Sequence, residues 1–540
     1  MNSLGFESNH EEKIISDLIY RLNYSADLVQ RLGEYKLDSG VTIRDILTID
    51  EISFWDLFTA ELAHFHIPQI FLSKKGFKSK LSLIKPDLIR LKYSVAQTIK
   101  NSIYSNGCDK LMNNQSVAFL GFTNRMYIDI LYPLISDFEA VGSISPVVFM
   151  DAHLPARKEY NLNNCLYQSI WRYSDKKSKL QVRLIRKKIK LKLDQFDIDS
   201  FLKNVLLEDD LVYLPNFMAL FERVFKAYIP NSVNYIVLAK HILQIHRPLI
   251  VVSPDTADSR TRVFSLLARN MGIPTLDIQF GLSGDEAVEY RFLLSEKVAL
   301  WGESSKQAII KQNVVSDRIV VTGSPRHDKL VNHKYINLAG IKRSLRIPNG
   351  SKVILLASTY NFKEKTHVDI SILKSMQIAI SEAVCDTENI FLIVKPHPHE
   401  DVIETKRLFS KSKKIFFVEK DSDIRNLIML CDAFISYGST TTIDALIAEK
   451  LTICPIFPGW TFSSDIFRDS GATLNPTTKG EILHIFQLIA NSSYQSLIKN
   501  LGRHREFFLE NYIYKNDGNS AKRINELIIS MIPEYSKKLK

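Results

Sequence analysis

The sequence predicts an α/β protein with two doubly wound parallel sheets that follow one another along the chain. Short runs that are apolar throughout alternate with helical stretches of about 10–15 residues, which is typical of parallel strands covered by helices on both faces. One such series begins near residue 116 and a second begins after residue 343. The sequence therefore predicts two Rossmann-like domains with a helical N-terminal extension.

The helical extension is predicted from residues 1 to about 110, where stretches such as EEKIISDLIYRLNYSADLVQRL have helical patterning. The first sheet is predicted from the runs SVAFLGF, SPVVFMD, PLIVVS and PTLDIQF, and the second from SKVILLAST, NIFLIVK, KKIFFVE, CDAFISY and LTICPIF. We expect a helical module over 1–110, an N-terminal Rossmann-like domain over 111–310, a C-terminal Rossmann-like domain over 311–515 and a C-terminal helix over 516–540. The two domains should face each other across a cleft.

Composition excludes several classes of protein. The chain is 45% apolar and has no run near the roughly 18–20 uncharged apolar residues of a membrane span. Its N-terminus carries early acids and no apolar signal core, so we expect a cytoplasmic protein. Five scattered cysteines without a CxxC pair argue against disulfides and structural zinc.

The formal net charge of +11 favours an anionic partner. Much of it lies in Val182–Leu193 (VRLIRKKIKLKL), which is either a solvated amphipathic face or a contact with the acidic inner face of a membrane. The tail helix around Ala521–Ile532 leaves the same two alternatives. Nucleic-acid binding is not expected, because the basic residues are not interleaved with aromatics in a known module.

A glycine turn in the second series is the strongest candidate site. Gly438, Ser439, Thr440 and Thr441 lie between the strand CDAFISY and the helix TIDALIAEK. Unbonded N–H groups and the helix dipole at such a turn suit a phosphate. The alternative is simple helix capping, with Thr441 and Asp444 as a capping-box variant, and Asp444 suits an anion site only if it faces away.

A second motif, Lys395-Pro396-His397-Pro398-His399-Glu400, directly follows the apolar run NIFLIV. Its prolines stiffen the strand exit and hold His397 where an imidazole can bond a phosphate or ribose oxygen, with the charge of Lys395 nearby. His397 and His399 could also be metal ligands, but no further cluster supports a metal. Ser358, at the end of the strand SKVILLAST, is expected to line the same site.

These motifs resemble the "HP" and "Ser/Thr" motifs of bacterial sialyltransferases and capsule Kdo transferases, and they are similar to those of CDP-glycerol glycerophosphotransferases. The stretches VALWGE and VTGSPRHD, the second of which contains Ser324, resemble the interdomain segment of the same enzymes. The resemblance covers roughly residues 245–460. It implies a two-domain GT-B fold in which Lys395, His397, Pro398, Ser324, Ser358 and the Gly438–Thr441 turn bind the donor nucleotide.

In the first series, Asp255 and Asp258 follow the strand PLIVVS. A carboxylate at a strand end is placed to act as general base or nucleophile, and Asp255 is the predicted catalytic residue, with Asp258 beside it. Both are also typical of turns and helix caps. Gln279 and Arg125, which follow two other strands, are predicted to contact the acceptor.

The segment Gln279-Phe280-Gly281 resembles a Gln-His-Gly segment of relatives whose histidine is proposed as the base. Phe280 replaces that histidine, so the proton must pass to Asp255, Asp285 or Glu286, or activity is lost. The expected protein is a glycosyltransferase without metal or cofactor that moves a CMP-linked Kdo or sialic-acid-like sugar to a glycan or lipid-linked acceptor. The alternatives are a CDP-glycerol-type glycerophosphotransferase, a UDP-N-acetylglucosamine 2-epimerase relative and a non-catalytic scaffold.

Overall fold

The computed structural model describes residues 5–71, 86–104, 115–138, 144–151, 160–332, 338–359, 370–397, 400–409, 412–460 and 464–533. The chain forms two compact units. We call Leu18–Arg326 with Asn519–Lys540 the N-unit, and Met1–Asp17 with His327–Gly518 the C-unit. The predicted domain boundary at 310/311 therefore differs from the observed division, which falls between Arg326 and His327.

The N-terminal region is helical, as predicted. A short hairpin of β1 (Thr48–Ile49) and β2 (Ile52–Ser53) interrupts it. Ser53 then caps the next helix by accepting a hydrogen bond from the Asp56 N–H. The helical segments are Gly5–Glu34, Ile43–Ile46, Phe54–Glu61, the π-helix Leu62–His66, Ile67–Phe71 and Pro86–Tyr104.

The N-unit is built on a seven-stranded parallel sheet with the order β5-β4-β3-β6-β7-β8-β9. Its strands are β3 (Ser116–Leu120), β4 (Ser145–Met150), β5 (Leu166–Ser169), β6 (Ile250–Ser253), β7 (Thr275–Ile278), β8 (Lys297–Leu300) and β9 (Ile319–Val321). The predicted strands β3, β4, β6 and β7 are confirmed, and most of their residues are buried, as a sheet covered on both faces requires. Three further strands, β5, β8 and β9, extend the sheet beyond the prediction.

Helices cover this sheet, and half of the helical segments in this region lie between β5 and β6. The helical segments of the sheet region are Met126–Leu131, Tyr132–Ser136, Ile170–Tyr173, Lys176–Leu193, Ile198–Val205, Glu208–Tyr213, Leu214–Arg223, Val224–Tyr228, Ile229–His246, Ser259–Asn270, Val288–Phe292, Glu303–Lys311, Ser316–Arg318 and Pro325–Val331. None of the helices in the described ranges combines the length and the apolar composition that crossing a bilayer requires.

The C-terminal helix Ser520–Met531 completes the core of the N-unit. Ala521, Ile524, Ile528 and Met531 are buried in the same apolar cluster as residues of β3, β4 and β6. Its apolar face is therefore occupied within the fold, which removes the membrane alternative considered for this tail.

The C-unit is built on a five-stranded parallel sheet with the order β12-β11-β10-β13-β14. The strands are β10 (Lys352–Ala357), β11 (Ile390–Lys395), β12 (Ile415–Phe417), β13 (Ala433–Ile435) and β14 (Leu451–Ile453), as the sequence predicts. Its helices are Leu338–Ser344, Ile370–Asp386, Val402–Leu408, Ile424–Leu430, Thr441–Ile447, Ser464–Arg468, Lys479–Ala490 and Tyr494–Tyr512. The prediction of two Rossmann-like domains is confirmed.

Candidate active site

The C-unit brings three predicted motifs to one edge of its sheet. β10 pairs with β11 on one side and with β13 on the other, all in parallel. Ser358, His397 and the Gly438–Thr441 turn follow these three strands, so they lie at the carboxyl edge of neighbouring strands about 4.8 Å apart. The strand order reverses between β10 and β13, and open α/β sheets bind ligands at such a switch point.

The turn after β13 presents backbone donors. Gly438 has a φ of 90°, a left-handed conformation that favours glycine. Ser439 Oγ accepts hydrogen bonds from Thr441 N–H at 3.3 Å and from Thr441 Oγ1–H at 3.0 Å. The N–H groups of Ser439 and Thr440 donate to no residue in the described part of the chain. Two N–H groups and nearby hydroxyls therefore remain for an anion.

The capping-box alternative for this turn is wrong. Thr440, not Thr441, is the N-cap of helix Thr441–Ile447, and its side chain makes no capping bond. Asp444 is fully buried, and its Oδ1 lies 3.4 Å from Nε2 of the buried His327. The carboxylate therefore faces the interior and not the turn. This is the orientation that an anion site at the turn requires.

The loop after β11 is organised by the buried carboxylate of Glu400. It accepts hydrogen bonds from Ser358 Oγ–H at 2.7 Å, from His397 N–H at 2.8 Å and from the Thr405 hydroxyl. These bonds fix the loop and leave the imidazole of His397 partly exposed. Pro398 and His399 lie outside the described residues.

The side chain of Lys395 bonds the loop itself, and its predicted contact with the donor stays a prediction. Its Nζ donates to Pro396 O at 3.0 Å and to Lys420 O at 2.7 Å, and the side chain is buried. Its ammonium therefore holds the loop through carbonyl oxygens. Ser324 is also fully buried, and its hydroxyl has no hydrogen-bond partner in the described ranges, so its nucleotide contact stays a prediction.

The N-unit contains a pocket of about 500 Å³ beside the carboxyl ends of β6 and β7. Its wall combines residues of the helical N-terminal region with the loops after both strands: Glu61, His64, Phe65, Asp255, Thr256, Ala257, Asp258, Ser259, Arg260, Phe280, Gly281, Leu282, Ser283, Glu289 and Tyr290. Its size fits a monosaccharide or polyol unit.

Asp255 lines this pocket and is partly exposed. Its Oδ1 accepts hydrogen bonds from the N–H groups of Ala257 at 2.8 Å and Asp258 at 3.2 Å, which leaves Oδ2 for another partner. Burial, followed by the neighbouring Asp258 carboxylate, raises the pKa of Asp255 to about 7. Asp255 can therefore hold or release a proton near neutral pH.

The carboxylate of Asp258 caps a helix and pairs with an arginine. It is the N-cap of helix Ser259–Asn270 and accepts from Arg260 N–H at 2.8 Å and from Arg260 Nε–H at 3.0 Å. The Arg260 guanidinium also reaches Asp151 Oδ2 at 3.1 Å. Because these bonds engage the carboxylate, the alternative of a cap aspartate describes Asp258 better than a catalytic role.

Gln279 is held inside the fold, and its predicted contact with the acceptor stays a prediction. It is fully buried, donates to Gly281 O at 2.7 Å and to Ser305 Oγ at 3.0 Å, and accepts from Trp301 N–H at 2.8 Å. It therefore braces the loop that carries Phe280 into the pocket. The guanidinium of Arg125 lies 5.5 Å from the centre of the Phe280 ring and is largely exposed, so an acceptor contact by Arg125 stays a prediction.

Of the three carboxylates considered as substitutes for the missing histidine, Asp255 alone lines the pocket. Both oxygens of Asp285 contact Lys311 Nζ at 2.9 Å. Glu286 accepts from Gly284 N–H at 3.2 Å, and burial raises its pKa.

His64 is a pocket residue that was not predicted from the sequence, and its Nδ1 lies 2.7 Å from Oε2 of Glu289 in the pocket wall. The only signal was a histidine pair in an aromatic-rich helix some 190 residues before Asp255, since His64, His66 and Asp255 share no motif. Within the described part of the chain, no group of three or more His, Cys, Asp or Glu side chains is arranged to hold a metal ion.

Comparison with known proteins supports this fold. Residues 302–530 match the family model of CDP-glycerol:poly(glycerophosphate) glycerophosphotransferase. A solved UDP-N-acetylglucosamine 2-epimerase is 15% identical with a TM-score of 0.50, and the match covers 79% of this chain and 97% of that one. No curated protein sequence matches the chain.

Two other solved structures have slightly lower scores. The S. aureus MnaA–UDP co-structure is 13% identical with a TM-score of 0.49, covering 79% of this chain and 98% of that one. The wall teichoic acid polymerase TagF is 13% identical with a TM-score of 0.47, covering 84% and 98%. None of these comparisons supports the sialyl- or Kdo-transferase part of the resemblance. These comparisons show a fold of two Rossmann-like domains, and residues 302–530 are similar to the CDP-glycerol glycerophosphotransferases.

Proposed function

We propose that this protein transfers a polyol phosphate from a CDP-activated donor, such as CDP-glycerol, to a hydroxyl of a glycan or lipid-linked acceptor. The observation that carries the proposal is the Ser439–Thr440 turn, which offers two N–H groups at the switch point of the C-unit. The match of residues 302–530 supports a CDP-linked donor over the CMP-linked acidic sugar expected from the sequence.

In this proposal, the C-unit binds the diphosphate of the donor. Ser439 and Thr440 hold one phosphate through N–H and hydroxyl groups, and Thr441 keeps the turn closed through Ser439. His397 bonds a phosphate or ribose oxygen from the loop that Glu400 fixes. These dipoles and donors stabilise the charge that grows on the leaving nucleotide, without a metal or cofactor.

The N-unit pocket takes the acceptor hydroxyl. The ionised Asp255 accepts a hydrogen bond from that hydroxyl through Oδ2 and draws its proton away. The acceptor oxygen forms a bond to the β-phosphorus of the donor, and the bond from that phosphorus to the bridging oxygen breaks. CMP leaves with the electron pair.

Calorimetric titration and product analysis test this proposal together. We expect CDP-glycerol to bind at least about tenfold more tightly than UDP-N-acetylglucosamine or CMP, and CMP to be released when an acceptor is present. Preference for CMP with transfer of an acidic sugar would support the CMP-linked donor instead. Epimerised sugar formed without an acceptor would identify an epimerase, and binding without turnover would identify a scaffold. Each of these three outcomes contradicts the proposed reaction.

We also propose that the N-unit contacts an anionic membrane surface where a lipid-linked acceptor resides. Helix Lys176–Leu193 carries nine Lys and Arg residues and no acid. Leu180, Leu184 and Leu191 lie on one stripe of it, each more than half exposed. Apolar side chains flanked by cations are typical of helices that bind the headgroup region.

A second helix of the same unit, Pro86–Tyr104, exposes an apolar stripe of five residues. They recur every three or four positions and are each at least half exposed: Leu88, Leu91, Val95, Ile99 and Ile103. A contiguous exposed apolar patch of this kind marks an interaction surface.

Vesicle sedimentation tests the membrane contact. Leu184→Glu should weaken binding to phosphatidylglycerol vesicles about tenfold, because a leucine of the contact loses its burial. Leu207→Glu is the matched control, since Leu207 is 51% exposed but lies outside both helices. Equal binding of both variants, or equal binding to neutral vesicles, would contradict the contact.

A further inference from the structure

A single buried arginine, Arg262, contacts the three chain segments that form the wall of the N-unit pocket. It belongs to helix Ser259–Asn270. Its guanidinium donates to three carbonyl oxygens and one hydroxyl: Asp56 O at 2.6 Å, Thr256 O at 3.1 Å, Phe292 O at 2.9 Å and Thr59 Oγ1 at 3.0 Å. Its Nε–H also donates to Asp56 O at 3.2 Å. These five hydrogen bonds match the five N–H groups of an arginine side chain.

Each segment that the guanidinium contacts supplies residues of the pocket wall. Helix Phe54–Glu61, where the guanidinium reaches two residues, ends at a residue of the wall. Thr256 lines the pocket itself, directly after Asp255. The 3₁₀-helix Val288–Phe292 contributes two further lining residues. One side chain thus connects the helical N-terminal region, the loop after β6 and the segment after β7.

The loop that carries Asp255 is anchored at two consecutive residues. The carbonyl oxygen of Asp255 accepts a hydrogen bond from Thr261 Oγ1–H at 2.7 Å. Thr256 Oγ1–H donates to Oδ2 of the buried Asp277 at 3.0 Å, while the Thr256 carbonyl accepts from Arg262. The backbone that carries the Asp255 carboxylate is therefore held by Arg262 together with its neighbour on the same helix.

The chemistry of Arg262 is unusual for a residue that only fills space. A buried cation is normally paired with a carboxylate, but the hydrogen-bond acceptors of Arg262 are carbonyl oxygens and a hydroxyl. Burial lowers the pKa of Arg262 to about 10, and the charge of Asp277 opposes this effect, so the guanidinium is charged at neutral pH. An apolar side chain of similar volume would fill the space at lower cost, but it could not hold three backbone carbonyls in a fixed plane.

We infer that Arg262 is a positioning residue of the acceptor pocket, which fixes the Asp255 loop against helix Phe54–Glu61 and the 3₁₀-helix Val288–Phe292. The helical N-terminal region is then a working part of the acceptor site. The inference rests on the proposed transfer, in which Asp255 draws the proton from the acceptor hydroxyl. A shift of the loop by about 1 Å would move the carboxylate from that hydroxyl, and such a misplacement can lower a rate about 100-fold.

Kinetics of Arg262→Lys test the inference. Lysine keeps the charge, but its three donors share one nitrogen and cannot reach all three segments. We expect kcat to fall about 100-fold, with the affinity for CDP-glycerol, which the C-unit is proposed to bind, changed less than about twofold.

Arg318→Lys is the matched control for this experiment. The half-buried guanidinium of Arg318 also bonds main-chain carbonyls of the N-unit, those of Leu293, Ser295 and Glu296, but these residues lie outside the pocket wall. The control variant should therefore keep wild-type kcat. Equal kcat in the two folded variants would overturn the inference.

A pair of milder variants keeps the inference testable if Arg262→Lys does not fold. Thr59 is buried and lies outside the pocket wall, and its hydroxyl is one of the acceptors of Arg262. Thr59→Val removes that acceptor at nearly constant volume and should lower kcat about fivefold, because the helix is then held less firmly. Thr59→Ser keeps the hydroxyl and should restore most of the activity. Equal kcat of the valine and serine variants would contradict the role of this bond.

Hydrogen–deuterium exchange gives a readout that does not depend on transfer. In Arg262→Lys, the amides of helix Phe54–Glu61 and those of Ala257 and Asp258, which donate to Asp255 Oδ1, should exchange at least about fivefold faster than in the wild type. In Arg318→Lys these amides should exchange as in the wild type. Unchanged exchange in Arg262→Lys would overturn the inference. The expected exchange pattern in a protein that makes no transfer product would support the connection between the walls and contradict the proposed function.

Discussion

Replacing Asp255 by asparagine is expected to lower kcat about 1,000-fold and to stabilise the fold above pH 4. The loss follows because a neutral amide no longer draws the acceptor proton or stabilises charge in the pocket. The gain follows because burial raises the pKa of Asp255 from 3.8 to about 7, so the ionised form is less favourable in the folded protein. Asparagine keeps the Oδ1 that accepts from Ala257 and Asp258.

The stability that Asp255→Asn gains over the wild type increases with pH. The wild type loses stability as pH rises from the unfolded-state pKa near 4 to the folded-state pKa near 7, by up to about 1.4 kcal/mol per pH unit. Denaturant unfolding should therefore show no difference between variant and wild type below about pH 4. These slopes sum to about 4 kcal/mol, and solvent screening of the partly exposed carboxylate reduces the difference expected in the free energy of unfolding at pH 8 to about 2 kcal/mol, with a plateau above pH 7.

Asp258→Asn is the matched control and should have the opposite effect on stability. It weakens the pair with Arg260 and the helix cap, which costs about 1–3 kcal/mol at neutral pH. An Asp255→Asn protein that turns over normally would remove Asp255 from the reaction. An Asp255→Asn protein that is less stable at pH 8 would show that its carboxylate serves the turn rather than catalysis.

Replacing Thr440 by aspartate is expected to lower the affinity for CDP-glycerol about 1,000-fold, which corresponds to about 4 kcal/mol. The new carboxylate would lie at the N–H groups proposed to hold the donor phosphate, where it repels the anion and occupies its donors. The fold should persist because aspartate is among the preferred residues at a helix N-cap, the position that Thr440 occupies. Calorimetric titration with CDP-glycerol measures the effect.

Thr478→Asp provides the control for that experiment. Thr478 is the N-cap of helix Lys479–Ala490 in the same unit and accepts a hydrogen bond from Glu481 N–H at 3.2 Å, but it follows no strand of the sheet. Aspartate there should leave nucleotide affinity within twofold of wild type. Equal affinity of both variants would mean that the Ser439–Thr440 turn does not hold the donor.

The fold could be predicted where strands are long enough to have their own pattern. β10 and β11 are six residues each and almost wholly buried, so their apolar runs stand out from the helices around them. β9 has three residues, and β5 is mostly half-buried, so neither shows a run distinct from a loop or a helix turn. These strands lie at the edges of the N-unit sheet, where only one neighbour supports them.

The site could be predicted to the level of strand ends, but not of single hydrogen bonds. Lys395 ends β11 and Gln279 directly follows β7, yet their side chains bond carbonyl oxygens, Ser305 and the Trp301 N–H within the fold. Side-chain direction at a strand exit depends on partners such as Lys420 and Trp301, which lie 25 and 22 residues away. His64 was missed for the same reason, since only tertiary folding brings it to Glu289.

The position of helix Ser520–Met531 in the core of the N-unit has a consequence for biosynthesis. Ribosomes synthesise a chain from its N-terminus, and domains generally fold as units while synthesis proceeds. Here the apolar surface of β3 and β4 stays uncovered until Ile524 and Ile528 have been made. Both residues leave the exit tunnel after the entire C-unit has been translated. The N-unit is thus begun before the C-unit and completed after it, and a nascent chain must keep that surface from aggregating until helix Ser520–Met531 has been made.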